Sequence, residues 1–273
     1  MVIRELIFAI SNELMDNAQF EARQILMQAT GKSNTELLMS MNDNVSKAVE
    51  DEVYAMVSRR KNSEPLQYIL GSAEFMGLQF YVDKNVLIPR ADTETLVETV
   101  LDVLNGQSAK VLDIGTGSGC IGTSIAHFNK NVSITFLDIS ENALEIAKRN
   151  SKANGVSGKF FLMDILKEYP NEKFDVIVSN PPYIRPDVIE TLQTEVKDYE
   201  PYTALYGGND GLDFYRRITD IAPQMLKNNG LLAFEIGYDQ GEDVSALMNG
   251  FYDVRIIKDL CNNDRVVIGR LKD

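Results

Sequence analysis

The chain has 273 residues, 44% hydrophobic and 25% charged, an ordinary balance for a globular protein with a sizeable core. Its 27 Lys and Arg against 40 Asp and Glu give a net charge of −13, so it lacks the basic surplus that drives binding to a nucleic-acid backbone. The two cysteines, Cys120 and Cys261, lie far apart, which excludes a disulfide framework and a thiolate zinc site. A reduced, cytoplasmic setting is expected, with no metal, because no His/Cys/carboxylate group has ligand spacing. Glu5 follows the start too closely for a signal peptide, and no apolar run approaches the ~18 residues that cross a bilayer.

The first part reads as helices. Ile3, Ile7, Ile10 and Leu14 repeat at helical spacing, as do Ala22, Ile25, Leu26 and Ala29, with Gly31 as a C-cap. Ser33 and Glu36 form a capping-box pattern ahead of Leu37 and Leu38. Val49, Val53, Met56 and Val57 mark a further helix, and Arg59-Arg60-Lys61 reads as its solvated, dipole-favoured end. These stripes predict packing and name no ligand. The period changes near Pro65, and Glu74 to Val82 alternates around Gly77, which predicts a β-hairpin. The expected division is a helical domain over 1–72, a hairpin linker over 73–86 and a second domain over 87–273. Cut after Val86, the first part has 8 basic and 12 acidic residues and the second 19 and 28, so neither is a basic module.

A helix from about Thr93 to Leu104 precedes an alternation of strands and helices. Val111–Ile114, Ile134–Leu137, Phe160–Met163, Val176–Val178 and Leu231–Ile236 are nearly continuous apolar runs, as suits parallel strands buried on both faces. Helices are expected after Gly119 and from Glu141 to Asn150, the latter capped by Ser140. Val254–Ile257 and Val266–Ile268 predict an antiparallel pair at one edge. The fold class is therefore α/β, with a Rossmann-like, seven-stranded, mostly parallel sheet behind a small helical domain.

The first strand of that sheet runs into Gly115-Thr116-Gly117-Ser118-Gly119. Glycines let a backbone turn sharply and approach a ligand, and the helix that follows offers free N–H groups. Asp138, at the end of the second strand, is placed to accept from ribose hydroxyls. Asp164 and Ile165 follow the third strand, where a carboxylate and a backbone N–H suit an adenine edge; a simple helix cap is the alternative for Asp164. Gly117 to Gly122 also fits a dinucleotide fingerprint, so this loop alone leaves NAD open.

The fourth strand runs into Asn180-Pro181-Pro182-Tyr183. Two prolines fix φ and remove donors, giving a stiff loop with free carbonyls. The Asn180 side-chain oxygen and the Pro181 carbonyl suit the two hydrogens of a planar NH₂ group, and Tyr183 suits its face. Such a nitrogen is a poor nucleophile because its lone pair is delocalised. Two acceptors favour its pyramidalisation, aim the lone pair and stabilise the charge that grows on it. Hydride transfer has no use for this loop, and methyl transfer does. It moves the glycine-loop reading from NAD to S-adenosylmethionine.

The same residues resemble a family. The chain looks like a class I S-adenosylmethionine-dependent methyltransferase and more closely resembles the peptide chain release factor N5-glutamine methyltransferases, the HemK/PrmC family. The likeness lies in Glu64-Pro65-Leu66-Gln67-Tyr68-Ile69-Leu70-Gly71, Leu87-Ile88-Pro89-Arg90, Asn180–Tyr183, Asp210-Gly211-Leu212 and Asp264-Arg265-Val266-Val267. It implies methylation of the glutamine of a Gly-Gly-Gln tripeptide in class I release factors, with S-adenosylhomocysteine as product. It carries cofactor contacts to Gly115–Gly119, Asp138, Ile165 and Asn180, and substrate contacts to Asn180, Pro181, Pro182 and Tyr183. It gives the N-terminal helices a substrate-docking role. A monomer with no stable nucleic-acid or membrane partner is expected. The family often has an aromatic where this chain has Ile165, and a glycine before Asp264, where Asn263 is expected to take the left-handed conformation. An adenine or guanine amino-methyltransferase would share the Asn-Pro-Pro-Tyr loop and is the competing reading. A docking module that keeps the fold without the chemistry is a third.

Overall fold

The structure is a computed structural model and describes residues 1–14 and 17–272. It divides into two compact units, one of Met1–Ser72 with Gln193–Tyr199, the other of Ala73–Leu192 with Glu200–Asp273.

The first unit packs α1 (Ile3–Ser11), α2 (Ala18–Thr30), α3 (Asn34–Met39), α4 (Lys47–Lys61) and α5 (Leu66–Leu70). The expected stripes bury Leu6, Ile10, Ile25, Leu26, Leu37, Val53 and Val57 in one core. Gly31 ends α2 in the left-handed conformation, and Ser33 and Glu36 make the capping box reciprocally. α5 lies outside the expected elements, since five residues are too few to display a period. The basic run at the end of α4 is not simply solvated. Arg59 pairs with Glu64 and Lys61 with Glu13. Arg60 turns inward, where Glu21 and Glu195 each hold its guanidinium at 2.8 Å.

The second unit opens with the hairpin of β1 (Ser72–Phe75) and β2 (Leu78–Tyr81), turning at Met76 and Gly77, both with positive φ. After α6 (Glu94–Leu104) come β3 (Ala109–Ile114), α7 (Cys120–Phe128), β4 (Val132–Asp138), α8 (Glu141–Ala153), β5 (Gly158–Leu162) and β6 (Phe174–Ser179). Three single turns follow: α9 (Pro186–Ile189), α10 (Thr194–Lys197, within the first unit) and α11 (Tyr202–Leu205). Then come α12 (Asp213–Met225), β7 (Leu226–Glu235), α13 (Gly241–Leu247), β8 (Phe251–Lys258) and β9 (Asp264–Leu271).

The sheet order is β5-β4-β3-β6-β7-β9-β8. The five strands from β5 to β7 are parallel, and β9 pairs antiparallel with β7 and β8, as the two late strands predict. Successive residues serve opposite faces. Val111, Val176 and Val178 join the core under α6 and α7, whereas Leu112, Ile114 and Ile177 join the core under α12. That double burial is why the strands read as continuous apolar runs. β7 begins at Leu226, before the expected Leu231, because the polar Lys227-Asn228-Asn229 hides its start. In the last hairpin the left-handed residue is Asn262, at φ 67°, and not Asn263. The Asp259 carboxylate accepts from the Asn263 N–H and so fixes that turn from outside the expected position.

Chain order places a switch between β3 and β6. From β3 the chain proceeds outward to β4 and β5, then returns to the other side of β3. In open α/β sheets ligands bind at the carboxyl ends of the strands flanking such a switch.

Candidate active site

A cavity of about 530 Å³ lies at that position, within the second unit. Its wall includes Gly115–Ser118 after β3, Asp138 at the end of β4, Asp164 and Ile165 after β5, and Asn180–Pro182 after β6. The sequence separates these residues by up to 67 positions, and the sheet brings them to one rim.

Two carboxylates fold the glycine loop. Asp138 accepts from the Gly117 N–H with one oxygen and from the Ser140 N–H with the other, both at 2.9 Å. Burial pushes its carboxyl up, and these backbone donors oppose the shift. Asp113, which the sequence reading passes over, is fully buried at the end of β3. It accepts from the Thr116 hydroxyl at 2.6 Å and the Gly122 N–H at 3.1 Å, and burial pushes it up to about 7. Its signal in sequence is a charged residue inside an apolar strand. Asn150, also unforeseen, donates to the carbonyls of Ser118 and Tyr81 and ties the hairpin to the loop.

Ligand access differs along the loop. A Cβ built on Gly115 or Gly117 would meet nothing within 4 Å, so that backbone faces open space. Gly119 is not on the wall. Its missing Cβ would lie 3.0 Å from Ala147, so this glycine serves the packing of α7 on α8. Gly122 likewise lets α7 approach β4, with Phe136 2.7 Å from where its Cβ would be. The loop is therefore half cradle and half packing joint.

The other predicted residues divide in the same way. Ile165 is buried on the wall and its carbonyl accepts from Arg217 at 3.0 Å. Asp164 also reaches the wall, but its oxygens already accept from the Leu166 N–H and the Lys167 ammonium, which holds its carboxyl low. Cys120 lines the wall as a buried thiol, pushed up to about 12 by burial. His127 lies away from the wall and bonds the Asn154 carbonyl at 2.9 Å. These residues fit S-adenosylmethionine: exposed glycine backbone for its polar end, a buried carboxylate for hydroxyls and an aliphatic flank for a flat ring.

Four segments hold the Asn-Pro-Pro-Tyr loop. Ser179 donates to the Ile114 carbonyl at 2.7 Å, joining the ends of β6 and β3. Ile184 and Tyr206 form a parallel bridge, with Ile184 donating to Leu205 and Gly207 to Ile184. Gln240 donates to the Tyr183 carbonyl. Asn180 donates its Nδ2 to the Thr93 hydroxyl at 3.3 Å. Asn180, Pro181 and Pro182 line the cavity, but Tyr183 does not. It packs on the core that holds Tyr215 and Phe234, where burial raises its phenol. Tyr183 therefore wedges the loop from behind in this structure.

Known proteins resemble this chain in both of its parts. Residues 90–195 match the family model described as methyltransferase small domain, and residues 3–71 match the PrmC N-terminal domain. A release factor glutamine methyltransferase of Clostridium acetobutylicum is 41% identical, covering 96% of this chain and 94% of that protein. One of Clostridium botulinum is 40% identical over 99% of both. One of Bacillus cereus is 37% identical over 96% of both. A methyltransferase from Pyrococcus furiosus, 20% identical with a TM-score of 0.56, covers 73% of this chain and 91% of its own, and shares the fold.

Proposed function

Because this chain belongs to the release factor glutamine methyltransferase family, we propose that it methylates the side-chain amide nitrogen of the Gly-Gly-Gln glutamine in class I release factors. The observation that carries the reading is that Asn180, Pro181 and Pro182 share one cavity wall with Gly115–Ser118 and Asp138. S-adenosylmethionine, when bound, supplies an electrophilic methyl group. The chain's part is positioning and electrostatics. Asn180 Oδ1 and the Pro181 carbonyl accept the two amide hydrogens, turn the nitrogen lone pair toward the donor and stabilise the charge that develops. The stiffness of Pro181-Pro182 keeps those acceptors in place, and Tyr183 supports the loop. Asp138 and the Gly115–Ser118 backbone hold the cofactor, with Ile165 and Asp164 beside the adenine.

The helical unit is the release-factor dock, a reading supported by the apolar side chains it exposes at Phe8, Phe20 and Met39. The enzyme acts as a cytoplasmic monomer. Among the described residues no helix is long and apolar enough to cross a membrane. The charge of −13 speaks against stable nucleic-acid binding.

The test is to incubate the protein with S-adenosylmethionine and a class I release factor and weigh the Gly-Gly-Gln peptide. A gain of one methyl group on glutamine is expected, and none with Asn180→Ala. Methyl transfer to DNA or RNA, with none to the release factor, would overturn the reading.

A further inference from the structure

Glu235 is a carboxyl in search of a role. It ends β7 and is 2% exposed, and its Oε2 has no hydrogen-bond partner. The parallel register of β6 on β7 sets Ser179 against Phe234, which brings the next residues, Asn180 and Glu235, side by side. Thr93, also 2% exposed, sits between them in chemistry: it accepts from Asn180 Nδ2, and its side chain, with that of Asn180, faces the Glu235 carboxyl.

The inventory of donors decides the arrangement. An ionised carboxylate only accepts, and a hydroxyl has one hydrogen. With a carboxylate beside it that can only accept, the Thr93 hydroxyl turns its one hydrogen toward Glu235 in the proposed arrangement and has only lone pairs left for Asn180. Asn180 must then present its NH₂ to Thr93 and its Oδ1 elsewhere. The reversed amide would set donors against the two N–H bonds of a substrate amide. We propose that Glu235 is a positioning residue that, through Thr93, fixes which way round the Asn180 amide sits and so keeps Oδ1 free to accept from the substrate NH₂. This rests on the methyl-transfer reading of the Asn180 loop.

The relay has a pH signature. Burial pushes Glu235 up to about 7, against Thr93, Arg265 and Asn180, which hold it down. Arg265 reaches it from β9, Asp92 from the turn before α6, Tyr183 from the loop itself, Tyr215 from α12 and Cys120 from α7. A protonated Glu235 can donate to Thr93, which frees the hydroxyl to donate to Asn180 Oδ1. The orienting constraint is then lost on the acid side.

The experiment uses the full-length protein, its Glu235→Gln variant and the pair Thr93→Ser and Thr93→Val. The first readout needs no turnover. Asn180 side-chain ¹⁵N–¹H₂ signals, assigned by their loss in Asn180→Ala, should shift between pH 6 and 8 in the wild type and stay fixed in Glu235→Gln. The second is kcat and KM against pH. Glu235→Gln should lower kcat at least tenfold, remove an acid limb near pH 7 and leave cofactor affinity by calorimetry within twofold. Thr93→Ser should retain the limb and Thr93→Val should lose it, a comparison that decides the matter if Glu235→Gln does not fold. Flat Asn180 signals in the wild type, or an unchanged kcat profile in Glu235→Gln or Thr93→Val, overturn the relay. A wild type that shows the Asn180 titration but methylates no release factor overturns the functional reading instead.

Discussion

Single residues carry this site in two ways, and only one of them is visible in a sequence. Gly115, Gly117, Asn180, Pro181 and Pro182 are legible because their backbone freedom or rigidity is a property of the residue itself, and the structure sets all five on the cavity wall. Asp138 is legible from its place at the end of a strand. Asp113, Thr93 and Glu235 are not, because their importance comes from register and burial between segments far apart in the chain. Tyr183 shows the converse. Its position in a motif suggests contact with substrate, whereas the fold turns it onto the core. Asp138 holds the loop, and under the proposed function the same side chain also serves the ligand. Asp138→Ala removes the acceptor for the Gly117 and Ser140 N–H groups as well as a hydroxyl acceptor. Bonds to charged groups contribute about 1.5–3 kcal/mol each. Calorimetry should therefore show cofactor affinity falling by roughly tenfold to a hundredfold, on the order of one such bond.

At the scale of elements, what shows a period is legible and what does not is hidden. The doubly buried strands and α1 to α4 announce themselves. α5 and the single turns α9 to α11 are shorter than two helical turns, so no pattern can mark them. α12 is different, since Tyr215, Ile218, Ala222 and Met225 do repeat at helical spacing and are all buried. The segment after α11 acts as a clamp on the Asn-Pro-Pro-Tyr loop. A Cβ on Gly207 would lie 2.5 Å from Tyr183 Cα and 2.7 Å from the Pro182 carbonyl oxygen, both backbone atoms that cannot swing aside. Gly207→Ala should displace that loop while leaving the glycine loop and Asp138 as they are. Misplacement of a positioning group by about 1 Å can cost on the order of a hundredfold in rate. Steady-state kinetics should show kcat falling on that scale, with cofactor affinity close to wild type by calorimetry.

The whole molecule is acidic, and two of its buried carboxyls set a pH dependence of stability. Asp113 and Glu235 titrate at about 7 in the folded chain, against ordinary values of 3.8 and 4.5. Between those limits the folded state binds more protons than the unfolded one, so this contribution falls as pH rises through the window and is level above it. Carboxyls held low by partners, such as Asp210 by Arg216 and Asp259 by the Asn263 N–H and Arg265, act in the opposite direction and only as pH drops below their ordinary range. Urea midpoints should be lower at pH 8 than at pH 5, and Asp113→Asn should shrink the difference. An equal or larger difference in that variant would show that Asp113 does not set it.

The tie between Arg60 and Glu195 has a consequence in time. The two residues are 135 positions apart, and the segment that carries Glu195 belongs to the helical unit although most of the other unit is synthesised before it. Closing such a distant contact is slow relative to local helix packing. A ribosome that has delivered Met1–Ser72 has therefore not yet delivered the whole of the first unit. Until Glu195 emerges, after four of the five parallel strands and the Asn-Pro-Pro-Tyr loop, Arg60 has the Glu21 carboxylate and the Glu64 carbonyl as its partners. The Asn-Pro-Pro-Tyr loop thus leaves the ribosome before the helical unit is complete, and the order of synthesis runs from most of that unit, to the glycine loop, to the Asn-Pro-Pro-Tyr loop, to the segment that completes the unit.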